Sequence, residues 1–310
     1  MSGIPWECVI AGGGPAGLSA ALVLGRARRR VLLCDSREPR NRWAEGSHGY
    51  LTRDGIAPDT LLALARAELA PYPSVEYRRV RIEDASRAGD IFELRLEGGE
   101  RVRSRTVLVA TGVVDALPAV EGLAPLWGRS VHHCPYCDGW ERRDSPIAAY
   151  GGGASGARLA LKLRQWSADI VWCADGDAGL DDELRSQLAA AGVVVRPEPV
   201  RRLEGRDGRL ERIVFDGAPP LERSALFIHT EVRQASPLAE RLGCRLSPKG
   251  TVDTRSAERT EVPGVFVAGD ASKDAQFVVV AAAEGAEAAV AIDALLSGKD
   301  REAPALAARS

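Results

Sequence analysis

The sequence has almost no net charge and no long run of uncharged apolar residues. Across 310 residues, 41 lysines and arginines stand against 43 aspartates and glutamates. A net charge of −2 gives no electrostatic reason to expect nucleic acid or an anionic membrane as a partner. The longest apolar stretch, 277–296, is broken by Glu284, Glu287 and Asp293, which argues against a membrane span. The opening residues show no secretory signal, so we expect a cytoplasmic protein.

Cysteine occurs six times, but only one pair is close in sequence. Cys134 and Cys137 form a Cys-Pro-Tyr-Cys motif, in which the two thiols can close a disulfide. A zinc site would normally need two more ligands at a recognisable spacing, and no second CxxC exists. His132 and His133 could be such ligands, but adjacent residues in an extended segment point in opposite directions. We therefore expect no metal and a redox role for the cysteine pair.

The first part of the chain predicts a strand, a glycine turn and a helix. The turn reads Gly-Gly-Gly-Pro-Ala-Gly from Gly12, and the helix follows over 18–28. In a dinucleotide-binding loop, Gly12 would permit the tight turn, Gly14 would let the backbone approach a pyrophosphate, and Gly17 would let helix and strand pack closely. The helix N-terminus would meet the phosphates with free N–H groups. Asp35 ends the next strand about 20 residues later, the spacing expected for a ribose contact.

A second unit of the same design begins at residue 147. Residues 147–150 predict a strand, 151–156 a glycine turn, 157–166 a helix and 169–173 another strand. This repeat of fold predicts an α/β protein with two Rossmann-like nucleotide-binding domains, each a three-layer ββα arrangement. The chain then returns to the first domain, because 265–270 reads as another buried strand that ends in an acid. The first domain is therefore expected to be discontinuous.

The remaining elements are assigned from hydrophobic periodicity. Helices are predicted over 60–69, 180–191 and 277–296. Alternating apolar and polar residues predict a small antiparallel insertion made of 75–82, 91–96 and 101–103. Further strands are predicted at 106–110, 193–195, 210–215 and 225–229. Three cysteines of predicted strands are expected to be buried as small hydrophobic residues: Cys8, Cys34 and Cys173.

Four features together resemble the low-molecular-weight thioredoxin reductase family over nearly the whole chain. They are the 12–17 loop, the Ala110-Thr111-Gly112 turn, the Cys134–Cys137 pair followed by Asp138-Gly139, and the strand at 264–270. The resemblance implies FAD, bound by a discontinuous domain of residues 1–115 and 243–310. It also implies a pyridine-nucleotide-type domain, residues 116–242, that carries the cysteine pair. Members of the family are usually homodimers, so a homodimer is expected.

The resemblance further implies roles for individual residues. Cys137 should face the flavin, Cys134 should exchange with substrate, and Asp138 should act as general acid/base. His133 flanks the pair and is a candidate catalytic residue, since positive charge favours the attacking thiolate; His132 is interpreted as structural. The expected FAD contacts come from both parts of the first domain: Gly12, Gly14, Pro15, Ala16, Gly17, Asp35, Ser36, Arg42, His48, Ala110, Thr111, Gly112, Gly269, Asp270, Gln276 and Phe277. His48 could instead be a base or a substrate contact.

The sequence departs from the NADPH-using members of that family after the second glycine loop. Those members carry a His-Arg-Arg cluster and a further arginine, where this chain has Ala174-Asp175-Gly176 and Leu180. Asp175 would repel the 2′-phosphate, so NADPH is a poor fit. NADH stays open, because Asp175 could bind a ribose diol as Asp35 is expected to do.

A branch of the family works without NADPH and closes disulfides in small natural products of the gliotoxin, holomycin and romidepsin type. The segment from His133 to Asp138 is similar to that branch. The leading hypothesis is therefore an FAD-dependent dithiol oxidase, in which electrons pass from a small-molecule dithiol to the cysteine pair, to FAD and to O2. Two alternatives stay open: a disulfide reductase supplied by NADH or ferredoxin, and a redox-sensing flavoprotein that binds a partner through its cysteine pair.

Overall fold

The structure, a computed structural model, describes residues 4–176, 179–272 and 275–307, with side chains as far as residue 298. It divides into two compact units. The first is discontinuous and comprises Met1–Arg40, Asp59–Val114 and Val232–Ser310. The second comprises Asn41–Pro58 and Asp115–Glu231. Segment 41–58 thus groups with the second unit, whereas the sequence assigned it to the first domain.

The strands and helices follow one another in chain order. The first stretch contains β1 (Trp6–Ala11), α1 (Pro15–Arg26), β2 (Val31–Cys34), α2 (Pro58–Ala67), β3 (Val75–Arg78), β4 (Ile82–Ala88), β5 (Ile91–Leu96), β6 (Arg101–Val109) and β7 (Val113–Ala116). The middle stretch contains β8 (Val131–His132), α3 (Pro135–Asp138), β9 (Ile147–Tyr150), α4 (Gly153–Leu163), β10 (Ile170–Cys173), α5 (Asp182–Ala190), β11 (Val194–Arg196), β12 (Val200–Arg206), β13 (Arg209–Phe215), β14 (Leu221–Glu222) and β15 (Ala225–Ile228). The last stretch contains β16 (Glu231–Gln234), α6 (Leu238–Arg241), β17 (Val265–Val267) and α7 (Val278–Ala307).

The first unit is built on a sheet in which β6 changes partner along its length. The strand order is β3-β2-β1-β6-β5-β4, and β17 also pairs with β6. Ser104 lies opposite Phe92 of antiparallel β5, whereas Val107 lies opposite Val265 of parallel β17. The first half of β6 therefore belongs to an antiparallel layer, and its second half belongs to the parallel sheet.

Successive side chains of β1 point into two separate cores. Ile10 packs in one core with Leu24 of α1 and Ile292 of α7. Val9 packs in the other core with Phe92 of the antiparallel layer. Helices thus cover one face of the parallel sheet and β-structure covers the other, which confirms the three-layer ββα arrangement predicted from the sequence.

The second unit repeats this plan. Its parallel sheet has the order β11-β10-β9-β15-β8, and β12, β13 and β14 form an antiparallel sheet. Trp172 of β10 packs with Leu163 of α4. Its neighbour Val171 packs on the opposite face with Leu203 and Ile213 of the antiparallel sheet. The two-domain Rossmann-like α/β fold is therefore confirmed.

Several elements differ from their predicted form. β6 is one continuous strand over 101–109, because the polar Ser104 and Thr106 that interrupt its apolar pattern are fully buried and donate to backbone carbonyls. β3 pairs in parallel with β2, so it does not belong to the predicted antiparallel insertion. β12 was not predicted, since Leu203 is its only buried residue.

The last helix is longer than expected. α7 runs from Val278 to Ala307, past the predicted end at residue 296. Glu284 on this helix is buried, although it lies in the most apolar stretch of the chain. Within the part of the chain that the structure describes, no helix is long and apolar enough to cross a membrane.

Candidate active site

The first glycine loop is tightly packed on one side and open on the other. A Cβ at Gly12, where φ is +108°, would overlap the Ala110 carbonyl, and a Cβ at Gly17 would overlap the Gly12 carbonyl. At Gly14 a Cβ would meet no atom within 4 Å. Gly14 is also the N-cap of α1 and provides no side-chain cap, while Pro15 occupies the first turn. Open space at an uncapped helix N-terminus is what a bound pyrophosphate requires.

The turn after β6 continues this cradle with an unsatisfied hydroxyl. Ala110 N donates to the Ala11 carbonyl at 2.8 Å, and Gly112 adopts a φ of +66°. Between them, Thr111 Oγ1 is buried and has no hydrogen-bond partner among the described residues. An unpartnered buried hydroxyl costs about 1–3 kcal/mol, which a hydrogen bond to a ligand would remove. The open Gly14 and the orphaned Thr111 hydroxyl both fit a bound dinucleotide.

Asp35 lies beside the glycine loop in a fixed orientation. It is buried, and a Cβ on Gly13 would overlap its carboxylate. Its two oxygens accept hydrogen bonds at 2.9 Å from Arg37 N and from the Tyr77 hydroxyl. Burial raises the pKa of Tyr77, which keeps that hydroxyl protonated as the donor. Asp35 is thus held at the end of β2, with half-buried Ser36 next to it.

A second acid, Asp270, is positioned at the end of β17 by two charged residues. Gly269 has a φ of +80°, and its N–H donates to Glu284 Oε2 at 2.7 Å. Asp270 forms an ion pair with Arg40 at 3.0 Å, and the same Arg40 nitrogen donates to Gln276 Oε1. Both members of the ion pair are largely buried. Arg40 therefore connects two of the residues for which FAD contacts were predicted.

Arg40 and Glu284 were not among the predicted site residues. Arg40 lies two residues before Arg42, the arginine that was chosen from the sequence. Glu284 interrupts an apolar helix, and the sequence analysis used it only as an argument against a membrane span. A carboxylate inside such a helix needs a buried partner. The charge of Glu284 was therefore the feature of the sequence that could have identified it as a site residue.

Three predicted FAD contacts have different surroundings. Arg42 and His48 belong to the second unit, where the Arg42 guanidinium lies over the Trp43 ring at 4.9 Å. His48 Nδ1 lies 3.6 Å from Glu141 and 3.7 Å from Asp54. Phe277 is half-buried in the first unit, directly before α7, and its carbonyl accepts the Ala281 N–H at 2.9 Å.

In the second unit, Cys134 and Cys137 form a disulfide, with their Cα atoms 5.3 Å apart. Cys134 is the N-cap of α3, and Pro135 supplies the fixed φ that favours the first helical turn. The Cys137 N–H donates to Cys134 Sγ at 3.2 Å. Such a hydrogen bond favours a thiolate at Cys134 once the disulfide is reduced. No group of three or more His, Cys, Asp or Glu side chains in the described structure could hold a metal ion.

The two histidines before the disulfide have different neighbours. His132 is buried, with Nδ1 3.3 Å from Asp138 Oδ1 and its ring 5.3 Å from Phe227. Its Nε2 has no hydrogen-bond partner in the described part of the chain. His133 stacks on Trp127 at 5.7 Å. The structure therefore brings His132 to Asp138, although the sequence analysis interpreted His132 as structural and chose His133.

The second glycine loop keeps its shape through internal contacts. A Cβ on Gly156 would overlap the Gly151 carbonyl, as at the equivalent positions of the first loop. The indole of Trp172, which is fully buried, donates to that same Gly151 carbonyl at 2.9 Å. Gly152 is the N-cap of α4 and provides no side-chain cap.

Asp175, the acid that could have bound a ribose diol, already has partners for both oxygens. Its Oδ2 accepts the Tyr150 hydroxyl at 2.8 Å, and its Oδ1 accepts the Val200 N–H at 2.7 Å. Burial, followed by the hydrogen bond to Asp175, raises the pKa of Tyr150, so the phenol stays protonated. Asp175 is thus held by donors to both of its oxygens, as Asp35 is in the first unit.

Comparison with known proteins agrees with the two-unit α/β fold and the redox disulfide described above. A family model described as pyridine nucleotide-disulphide oxidoreductase matches residues 6–285. The chain belongs to that family. The thioredoxin reductase tcpT of Claviceps purpurea is 32% identical over 85% of this chain and 86% of its own length. Thioredoxin reductase-like flavoproteins were the family predicted from the sequence, and that prediction is confirmed.

Two crystal structures are similar to this chain in fold as well as in sequence. The structure of HlmI is 38% identical, with a TM-score of 0.92 over 98% of this chain and 96% of HlmI. An oxidoreductase from Agrobacterium tumefaciens is 34% identical, with a TM-score of 0.88 over 93% of this chain and 97% of its own. These comparisons confirm the prediction that the chain is a thiol oxidoreductase.

Proposed function

We propose that this chain is an FAD-dependent dithiol oxidase, which forms a disulfide in a small-molecule dithiol with O2 as electron acceptor. The observation that carries the proposal is the contrast between two sites. A redox-capable disulfide is in place at Cys134–Cys137, whereas Asp175 follows the strand after the second nucleotide loop, and its carboxylate would repel the 2′-phosphate of NADPH. Electrons can enter through sulfur, while no arginine is available there for an NADPH phosphate.

The exchange step follows from ordinary thiol–disulfide chemistry. One substrate thiolate attacks Cys134 Sγ, the enzyme disulfide breaks, and Cys137 leaves as a thiolate. The second substrate thiolate then attacks the substrate sulfur of the mixed disulfide and releases the Cys134 thiolate. The substrate is oxidised by two electrons, and the enzyme pair is reduced by two.

Two groups near the pair support this chemistry. The Cys137 N–H, 3.2 Å from Cys134 Sγ, stabilises the Cys134 thiolate as it is released. Asp138, with His132 at 3.3 Å, can take a proton from a substrate thiol and return it to an enzyme thiolate. We assign the acid/base role to Asp138 and a supporting role to His132, and His133 is kept as a second candidate.

The first unit supplies the groups that would hold the cofactor. The open N-terminus of α1 would hold the pyrophosphate, Asp35 a ribose, and the Asp270 turn the remainder of FAD. Bound FAD would supply the two-electron acceptor that reoxidises the cysteine pair and passes the electrons to O2, giving hydrogen peroxide. The FAD domain is assigned to residues 1–115 and 243–310, and the domain with the redox pair to 116–242. We further propose a cytoplasmic homodimer.

The deciding experiment mixes the flavin-loaded protein anaerobically with one donor at a time and follows flavin absorbance. A small dithiol such as dithiothreitol is expected to bleach the flavin, and air is expected to restore it with one hydrogen peroxide per dithiol. The Cys137→Ser variant should retain FAD and lose turnover. Rapid bleaching by NADPH, with no response to dithiols, would overturn the proposal.

A disulfide reductase is the second candidate, because the second glycine loop is structurally intact and a relative carries the name thioredoxin reductase. In that case NADH or reduced ferredoxin would bleach the flavin in the same experiment. Asp175 could then bind the ribose diol of NADH and keep its hydrogen bonds to Tyr150 and Val200, because a carboxylate has about four acceptor sites.

A further inference from the structure

Aromatic side chains are scarce in this chain, yet they are concentrated around the redox disulfide. Phe, Trp and Tyr make up 5% of the residues, with six tryptophans. Trp127 stacks on His133, which directly precedes Cys134. Trp166 meets Tyr136, which lies between the two cysteines, edge to face at 5.7 Å. Trp140 follows three residues after Cys137.

A fourth tryptophan reaches this region from a distant part of the sequence. Trp43 lies against Gly128, where a Cβ would come within 2.8 Å of the Trp43 Cβ. Its segment is also connected to the far side of α3, since His48 Nδ1 lies 3.6 Å from Glu141. We use the name aromatic collar for six rings of the second unit that are adjacent to the Cys134–Cys137 segment in sequence or are connected to it through these contacts: Trp43, Trp127, His133, Tyr136, Trp140 and Trp166.

Three rings of the collar are exposed and carry a cation over one face. Trp43, Tyr136 and Trp140 are 54%, 59% and 64% exposed. Arg42 lies over Trp43 at 4.9 Å, Lys162 over Tyr136 at 4.2 Å and Arg143 over Trp140 at 4.2 Å. A cation on one face orients a ring, and the exposed part of the ring is available for stacking. It also makes the surface unfavourable for a cationic ligand.

We propose that the aromatic collar binds a planar aromatic ring that carries the substrate dithiol, in a neutral or anionic molecule. This inference rests on the proposed oxidase function. A substrate sulfur must reach Cys134 Sγ, so the atoms that bear it have to lie among the groups flanking α3. Exposed rings favour an aromatic occupant, because each offset-stacked pair adds affinity equivalent to about 2- to 10-fold.

The test compares a dithiol that carries an aromatic ring, 1,2-benzenedimethanethiol, with an aliphatic one, dithiothreitol, by oxygen consumption; both close a six-membered cyclic disulfide. The measured quantity is the ratio of their kcat/KM values, aromatic over aliphatic. Trp140→Leu is expected to lower this ratio about 2- to 10-fold relative to the unchanged protein. Because each ratio is compared between variants, the different intrinsic reactivities of the two dithiols cancel.

Trp6→Leu is the matched control. Trp6 also has a guanidinium over its ring, that of Arg30 at 5.1 Å, but it lies in β1 of the first unit. The ratio should be unchanged in this variant. As a readout independent of turnover, 2-naphthol should compete with dithiothreitol in the unchanged protein and in Trp6→Leu, and more weakly in Trp140→Leu.

The possible failures can be told apart. If neither dithiol is oxidised, the proposed function fails. If both are oxidised and Trp140→Leu leaves the ratio and 2-naphthol inhibition unchanged, the collar proposal is overturned while the oxidase function stands. If Trp140→Leu instead abolishes a dimer seen by light scattering, the collar is an interface between two copies, and the aromatic-substrate proposal is also overturned.

Discussion

Nδ1 of His132 lies 3.3 Å from Oδ1 of Asp138, so a buried imidazole faces the carboxylate that follows the redox pair. The other ring nitrogen, Nε2, is buried without a hydrogen-bond partner in the described structure, and the ring packs on Phe227. This arrangement orients the imidazole toward Asp138. Substitutions of His132 and of His133 are therefore expected to have different effects on turnover.

Asp138→Asn is expected to slow dithiol turnover by about 10²- to 10⁴-fold, the usual effect of removing a general acid/base. His132→Asn should slow turnover about tenfold, since it removes only the partner of Asp138. His133→Asn should have the smaller effect of the two histidine variants. Steady-state rates and flavin content are the measurements. A larger loss in His133→Asn than in His132→Asn would contradict the assignment.

Thiol labelling should separate the redox pair from the other cysteines. Burial raises the pKa of Cys8, Cys34 and Cys173 to about 12 and that of Cys244 to about 11. At pH 8 a thiol with a pKa of about 11 is only about 0.1% thiolate, and the thiolate is the reactive form. Iodoacetamide should therefore label no cysteine in the oxidised native protein.

After mild reduction, mass spectrometry should find two labels, on Cys134 and Cys137. Labelling of all six cysteines after urea treatment is the control that the reagent is competent. Label on Cys244 or Cys8 in the native oxidised protein would show that these thiols are accessible after all.

Gly285 provides a test of the packing between α1 and α7. A Cβ at Gly285 would overlap the Ala16 backbone, so Gly285→Ala should destabilise the fold by about 1–3 kcal/mol. Gly298 lies on the same helix with nothing within 4 Å of its would-be Cβ. Gly298→Ala should therefore be neutral or stabilising by up to about 1 kcal/mol. Urea unfolding of both variants gives the comparison, and equal stabilities would disprove the close contact.

Arg40 is expected to contribute to FAD affinity through Asp270 and Gln276. Arg40→Met leaves the largely buried Asp270 carboxylate without its cation, so the dissociation constant for FAD should rise about 10- to 100-fold. Arg42→Met is the matched control, because the Arg42 guanidinium lies over Trp43 in the second unit. Flavin fluorescence titration of the apoprotein measures both. A stronger effect of Arg42→Met would favour the residue chosen from the sequence.

The repeated strand–glycine turn–helix could be predicted from sequence because every signal is local. Gly12, Gly17 and Gly156 are required by contacts with backbone only a few residues away or on the adjacent strand. β12 was missed because Leu203 is its only buried residue and the only other apolar residue, Val200, is partly buried, which leaves no clear alternation to detect. β6 was divided because Ser104 and Thr106 satisfy their hydroxyls inside the sheet, and the pattern of apolar residues does not reveal such hydrogen bonds.

The site depends more on contacts between distant residues, which limits what the sequence predicts. The two adjacent histidines have different neighbours: His132 lies beside Asp138, and His133 stacks on Trp127. The turn of α3 determines which of the two histidines lies beside the Asp138 carboxylate. In the same way, Arg40 pairs with Asp270, whereas Arg42 belongs to the segment that groups with the second unit and begins at residue 41.

Trp172 belongs to β10, and its indole N–H donates a hydrogen bond to the Gly151 carbonyl at 2.9 Å. A loop supported from within the sheet keeps its form whether or not a ligand ever arrives. The shape of the second glycine turn is therefore a property of the sheet that supports it, and it does not by itself report on nucleotide binding.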